Sequence, residues 1–450
     1  MAFTWARELD EYPTGAKRRK YLAMAVLASL ICSYEAAIAP VVPLLLEDLQ
    51  MELTTYGLIA AVSLLAGACA GLISGPLSDR IGRVRILIPL MAFTAFLAFT
   101  MVFVNSPTSL AIVRFILAFV DGLAVAVTAP LVRDFSPRMG RAQAMGFWAW
   151  GPVGANFISA GIAALTLPLF NNAWHSQFII IGVLSLIASI VIALNIADLS
   201  PRLRAEVLQT EAKVIEDASD EKPAKASTLL KSPVVWAHTV GISFWLLLYL
   251  TVTAFGQTMI VQTFGKTAAE ASFIMSMFWV LNVFALVFTG RLSDRLQLRR
   301  IFTLVFTIVS LVLVVIFAFM MGNPNTSTAV LAVTGALIGG TMGAAYSPWM
   351  ALYSENSEDI DPRLQGVTWG LFSFMTRFVA MLVVIVAPFV VRADDGSWQT
   401  WIIICAVCMA LFLVVMLFFK GPWTRRQLTA AAEAAVEREQ APRAATRVES

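Results

Sequence analysis

The sequence predicts an all-α membrane protein: twelve transmembrane helices in two pseudo-symmetric six-helix bundles. Composition, the spacing of apolar runs and an internal repeat predict it. Of 450 residues, 59% are hydrophobic and 14% charged, where a soluble domain carries about 25% charged residues. Mean hydropathy is +0.78. Such a chain has too little polar surface to face water on all sides, so lipid is its expected solvent. The net charge of +3 gives no reason to expect a nucleic-acid partner, and the charges gather in clusters between apolar runs.

A spanning helix needs about 20 largely apolar residues. In lipid the backbone finds partners only within its own helix. Runs of this kind lie near 21–46, 55–78, 85–104, 110–132, 142–167 and 176–197, then near 234–258, 269–290, 301–321, 329–352, 366–391 and 399–419. The expected division is a tail (1–20), a first bundle (21–197), a polar linker (198–233), a second bundle (234–419) and a tail (420–450). The first 20 residues do not read as a cleavable signal, because the apolar run after them is long and interrupted by Glu35. Lys and Arg collect on the cytoplasmic side of membrane proteins. With both termini inside, 28 of the 32 fall on that side, and the outer loops hold only Lys266 and Arg392. An N-in, C-in multi-pass protein of the cell membrane is expected.

The four cysteines, Cys32, Cys69, Cys405 and Cys408, all sit in apolar runs. The last two have CxxC spacing, but no polar neighbours accompany them to tune a thiolate or a metal. They read as packing residues, and no cofactor or metal is expected.

The repeat supplies the third observation. Gly75-Pro76-Leu77-Ser78-Asp79-Arg80-Ile81-Gly82-Arg83 follows the second apolar run, and Gly290-Arg291-Leu292-Ser293-Asp294-Arg295-Leu296-Gln297 follows the eighth. A second echo pairs Pro137-Arg138-Met139-Gly140 with Pro362-Arg363-Leu364-Gln365. Two halves of equal topology imply parallel duplication. The Gly75–Arg83 segment resembles the loop signature of the major facilitator superfamily, G-x-L-[SA]-D-R-x-G-R, and the second copy departs from it where Gln297 replaces the later glycine. The resemblance covers roughly 20–420 and implies secondary transport by alternating access.

A carboxylate at the end of a helix can face the positive N-terminus of a helix in the other half, worth about 0.3–2 kcal/mol. Asp79 and Asp294 are placed for this, toward the eleventh and fifth helices respectively. The family pattern further implies an Arg83–Asp134 pair. Gly75, Asp79, Arg80, Gly82, Arg83, Asp134, Gly290, Asp294 and Arg295 are thus the expected gating elements; the alternative is that they only fix topology at the head groups.

Four charges interrupt the helices: Glu35, Arg114, Asp121 and Arg377. Each costs at least about 2.5–3.5 kcal/mol at bilayer depth, so such residues face a wet cavity or pair with one another. Arg114 and Asp121 stand seven apart on one helix, about two turns along one face. Glu35, Asp121 and Arg114 are expected to couple transport to protons, with helix packing as the other reading. The helix-four pattern resembles that of proton-driven members of the superfamily, and the spacing from arginine to acid resembles its anion:cation symporter branch. Arg377 offers a guanidinium fork for a carboxylate, or a counter-ion for the acids. Tyr34, Asn156, Trp245, Tyr249, Gln257, Asn282 and Tyr346 are further candidates to line a cavity; amides in hydrocarbon need partners, while aromatic pairs often only pack.

Gly151-Pro152-Val153-Gly154 partly resembles the antiporter signature of drug exporters, but Phe147 and Ala155 stand where it has glycine. It reads as a bend with close packing. The expectation is a monomeric symporter moving a small organic anion with protons through the bilayer. The alternative is a proton-coupled efflux antiporter. A membrane-embedded enzyme is remote: the histidines are His175 and His238 alone, and no metalloprotease, nucleophile-elbow or phosphate-loop motif is present.

Overall fold

The computed structural model describes residues 7–136, 141–207, 229–360, 364–424 and 427, without the side chains at 75, 76, 79, 141–147, 149, 365 and 366. Twelve long helices stand among the described residues: α1 (Gly15–Ala36), α2 (Leu53–Ile81), α3 (Arg83–Thr100), α4 (Pro107–Asp134), α5 (Arg141–Thr166), α6 (His175–Asn195), α7 (Pro233–Phe264), α8 (Ala268–Leu296), α9 (Arg299–Met320), α10 (Thr328–Glu358), α11 (Gln365–Ala393) and α12 (Gln399–Met416). Eleven are long and apolar enough to cross a membrane, counting α1 with its continuation to Asp48; α5 occupies the remaining place.

Local chemistry explains the ends. At α4, Ser106 accepts from the Ser109 backbone N–H in a capping box ahead of Pro107. At α8, Thr267 and Glu270 do the same. The first apolar run is not one helix. It stops at Ala36, bends through Ala37 and Ile38, turns through a short 3-10 segment (Ala39–Val41) and resumes over Val42–Asp48. Pro40 and Pro43 lack the N–H groups that would bond backward to the preceding turn. One carbonyl at the break, that of Ala37, accepts from Ser159 Oγ of α5 at 2.9 Å.

Helix contacts repeat between the halves. The pairs α1–α5, α2–α4 and α3–α6 reappear as α7–α11, α8–α10 and α9–α12. Between the halves, α2 meets α11 and α5 meets α8; adding six to each number exchanges these two pairs. Small residues let the helices approach. A Cβ at Gly122 of α4 would fall 2.5 Å from the Gly67 carbonyl oxygen of α2, and one at Gly339 of α10 would fall 2.2 Å from that of Phe278 in α8. Asn282 reinforces the second seam by donating to Gly339 O at 2.8 Å.

The two repeated loops lie at one end of the helices, here the loop end; the other is the far end. At the far end the halves meet directly. A Cβ on Gly57 of α2 would sit 2.2 Å from Val384 O of α11. Tyr56 packs edge-on to Phe255 of α7 at 6.1 Å, and Arg392 pairs with Glu52 at 2.9 Å. The 3-10 segment after Glu35 and the short helix behind it also rest on α7.

A Gly57→Val substitution should therefore hold the far end apart. Spin labels at positions 52 and 392 should report a longer distance than in the same labelled pair with Gly57 retained; an unchanged distance would mean the seam tolerates the side chain.

Candidate functional site

Glu35 and Asp121 come together in the interior. One carboxylate oxygen from each and the Sγ of Cys32 all lie within 4.8 Å of one another. Glu35 occupies the last turn of α1, just before the proline-driven break, and is 1% exposed. Neither of its oxygens makes a hydrogen bond, although the buried Ser185 hydroxyl of α6 approaches it. Asp121, 8% exposed, precedes Gly122, whose bare α-carbon lets α4 press against α2. Its Oδ1 is unpaired, as is Nη1 of Arg114.

Two guanidinium groups act on Asp121, Arg114 from the same helix and Arg377 from α11 in the other half. Tyr56 stands beside Arg114. Arg377 is exposed, and so are Gly370, Ser373 and Phe374. The intervals 370, 373–374 and 377 mark one helical face. Arg377 acts electrostatically on Asp121, so this end of α11 lies near the first half. The structure thus brings all four intramembrane charges into one neighbourhood.

The aromatic candidates form a wall in the second half. Tyr249 and Tyr346 are half-buried, with rings 6.4 Å apart and nearly parallel. Trp245 stacks on both, at 6.0 Å and 5.6 Å, and Tyr346 stacks in turn on Trp349 at 5.6 Å. Trp245 is buried with its indole N–H unpaired. The other candidates lie elsewhere. Tyr34 is buried in the apolar cluster that spans both halves, and Asn282 is buried between α8 and α10. Asn156 is half-buried and donates to Pro152 O of its own helix at 3.0 Å.

At the loop end, Arg83 pairs with Asp134 and donates to Pro130 O at 2.8 Å. Arg204, after α6, reaches Asp134 at 3.7 Å and pairs with Asp198. Asp198 accepts from the Val84 backbone N–H at 3.1 Å. It opens a short strand (Asp198–Leu199) that runs parallel to Glu8–Leu9. Gly82 has φ of 108° and a Cβ there would stand 3.2 Å from Asp198 Oδ2, so the loop needs glycine twice over. In the second copy Gln297 takes the left-handed conformation, at φ 53°, which costs a non-glycine residue about 1–2 kcal/mol. Its side chain donates to Asp294 O at 2.6 Å. There Arg299 joins Asp294 and Glu355, so Asp294 pairs within its own half. Arg80, Arg295 and Arg291 are exposed, and Gly290 faces Ser347 of α10. The expected roles of Gly75 and Asp79 rest on side-chain positions outside the described residues.

Sequence reasoning missed Arg204, Asp198, Ser185 and Cys32. The first two lie in a polar stretch with the composition of a solvated linker. Cys32 carried a usable signal, since it stands three residues before Glu35 and shares its helix face.

The Major Facilitator Superfamily model matches residues 24–384. The chain belongs to that family and is an integral membrane transporter, not an enzyme. The chain is 22% identical over 375 residues to the 4-hydroxybenzoate transporter PcaK of Pseudomonas putida, covering 77% of this chain and 80% of the relative. It is 32% identical over 119 residues to the multidrug resistance protein MdtG of Escherichia coli (strain UMN026), covering 25% and 29%. Among solved structures, a D-xylose–proton symporter superposes with a TM-score of 0.66 at 14% identity, covering 89% of this chain and 97% of that one; this likeness concerns the fold.

Removing one member of a buried ion pair costs up to about 3–5 kcal/mol, and Asp134 faces two arginines. Asp134→Asn should lower the thermal unfolding midpoint in detergent by several degrees. An unaltered midpoint would show that the arginines find other partners.

Proposed function

We propose that this chain is a proton-coupled symporter of a small organic anion, operating by alternating access. The carrying observation is that Arg377 of one half lies near enough to act on Asp121 of the other, with Glu35 beside Asp121. A guanidinium in a wet passage binds a carboxylate through two charge-assisted hydrogen bonds. Carboxyls nearby can take up a proton as the anion arrives. Arg114 biases that exchange from the side of α4. Tyr249 and Tyr346 offer flat surfaces to a ring, and the similarity to a 4-hydroxybenzoate transporter favours an aromatic carboxylate.

In this reading the chain is monomeric, with both termini in the cytoplasm of a cell membrane, and residues 21–197 and 234–419 rock against each other about the central site. Residues 198–233 connect them, while 1–20 and 420–450 are tails. The loop end is then cytoplasmic. The far-end contacts at Gly57 and Glu52–Arg392 close the outside, so the conformation faces inward. In such a state the halves part at the loop end, in keeping with Asp294 pairing inside its own half; in the outward state Asp79 and Asp294 would turn to the opposite half.

Purified protein in liposomes should accumulate labelled 4-hydroxybenzoate when the outside is made acidic. Arg377→Ala should weaken uptake affinity about tenfold to a hundredfold, in line with about 1.5–3 kcal/mol for a hydrogen bond to a charged group. Extrusion driven by the same gradient, or uptake indifferent to Arg377, would overturn the assignment.

A further inference from the structure

We infer that Glu35 and Asp121 form one proton site rather than two: a single proton, shared between the carboxyls, enters with each monovalent anion. The inference rests on the symport reading above and specifies its coupling.

Three observations carry it. The two carboxyls approach within 4.8 Å, a separation at which two ionised groups repel strongly where water is scarce. Glu35 is 1% exposed and both its oxygens lack a partner, as does Oδ1 of Asp121. Once one of two carboxyls this close is protonated, its O–H has the other carboxylate as a ready acceptor, and a second proton would have no such partner. The remaining groups acting on the pair are few: the Cys32 thiol on α1, the Ser185 hydroxyl on α6, Arg114 on α4 with Tyr56 beside it, and Arg377 on α11. Thiol and hydroxyl add no charge when neutral. Among the described residues, α5 brings no ionisable side chain to this depth.

The charge balance then sets the stoichiometry. Two carboxylates and two guanidiniums sum to zero, so the empty centre is neutral. An anion alone makes it negative, and a proton alone makes it positive. Either net charge is costly at bilayer depth. Anion and proton together restore neutrality. The two neutral states, empty and doubly loaded, are the ones able to pass through the occluded arrangement, which suppresses slippage. On loading, an O–H bond forms on one carboxyl oxygen, with the proton taken from water, and hydrogen-bonds to the other carboxylate. On release that bond breaks and the proton returns to water on the opposite side.

Reconstituted wild-type protein with 4-hydroxybenzoate as probe tests this. A gradient of one pH unit, acid outside, should drive accumulation to a limit of tenfold. A potassium diffusion potential imposed with valinomycin at equal pH should drive none. Accumulation driven by that potential, or a limit near a hundredfold, would overturn the shared site while leaving symport intact; no carboxylate accumulation under any gradient would instead remove the symport reading, and this inference with it. Glu35→Gln and Asp121→Asn should each abolish acid-driven accumulation yet still exchange labelled for unlabelled probe, which reports folded carrier. Normal accumulation by either variant would mean that the acids act independently.

Discussion

Everything in this molecule depends on keeping four charges in hydrocarbon. An isolated carboxylate or guanidinium at that depth is expensive. Glu35, Asp121, Arg114 and Arg377 are tolerated because they share one neighbourhood, with acids from α1 and α4 opposite a base from α11. The duplicated scaffold brings them there. Each half closes on itself through glycine seams, and the halves touch through α2–α11 and α5–α8. The charges lie where the halves come together, and there polarity is affordable because it is shared.

The geometry around Glu35 follows from covalent chemistry. Two prolines within four residues remove backbone donors, α1 ends, and the chain turns toward α7. The acid is thus delivered at a helix terminus that lies between the halves, rather than within a continuous helix packed on one of them.

Much of this was legible in the sequence. Apolar run length gives every long helix, because lipid leaves the backbone no other solution. The repeat gives the pairing of halves, and the loop signature gives Arg83–Asp134. Four interrupting charges mark the centre because each would be removed unless it met a partner. The break after Ala36 was less visible, although Pro40 and Pro43 announce it, since averaging hydropathy over 20 residues hides a local bend. Asn282 was misleading for a general reason: an amide in an apolar run reports only that it needs a partner, and here the partner is the Gly339 carbonyl. Asp198 and Arg204 were hidden because a charge in a polar stretch is silent until the fold brings its partner from far along the chain.

The far-end joint at Gly57 has a mechanical consequence. Where Gly57 meets Val384, backbone lies on backbone, and the nearby ion pair is between exposed side chains. Around it, Tyr56 on Phe255 and the apolar cluster that runs on through both halves must part as well. Opening therefore strips dispersion contacts that the return stroke rebuilds, and the joint works as a latch whose release has to be offset at the opposite end.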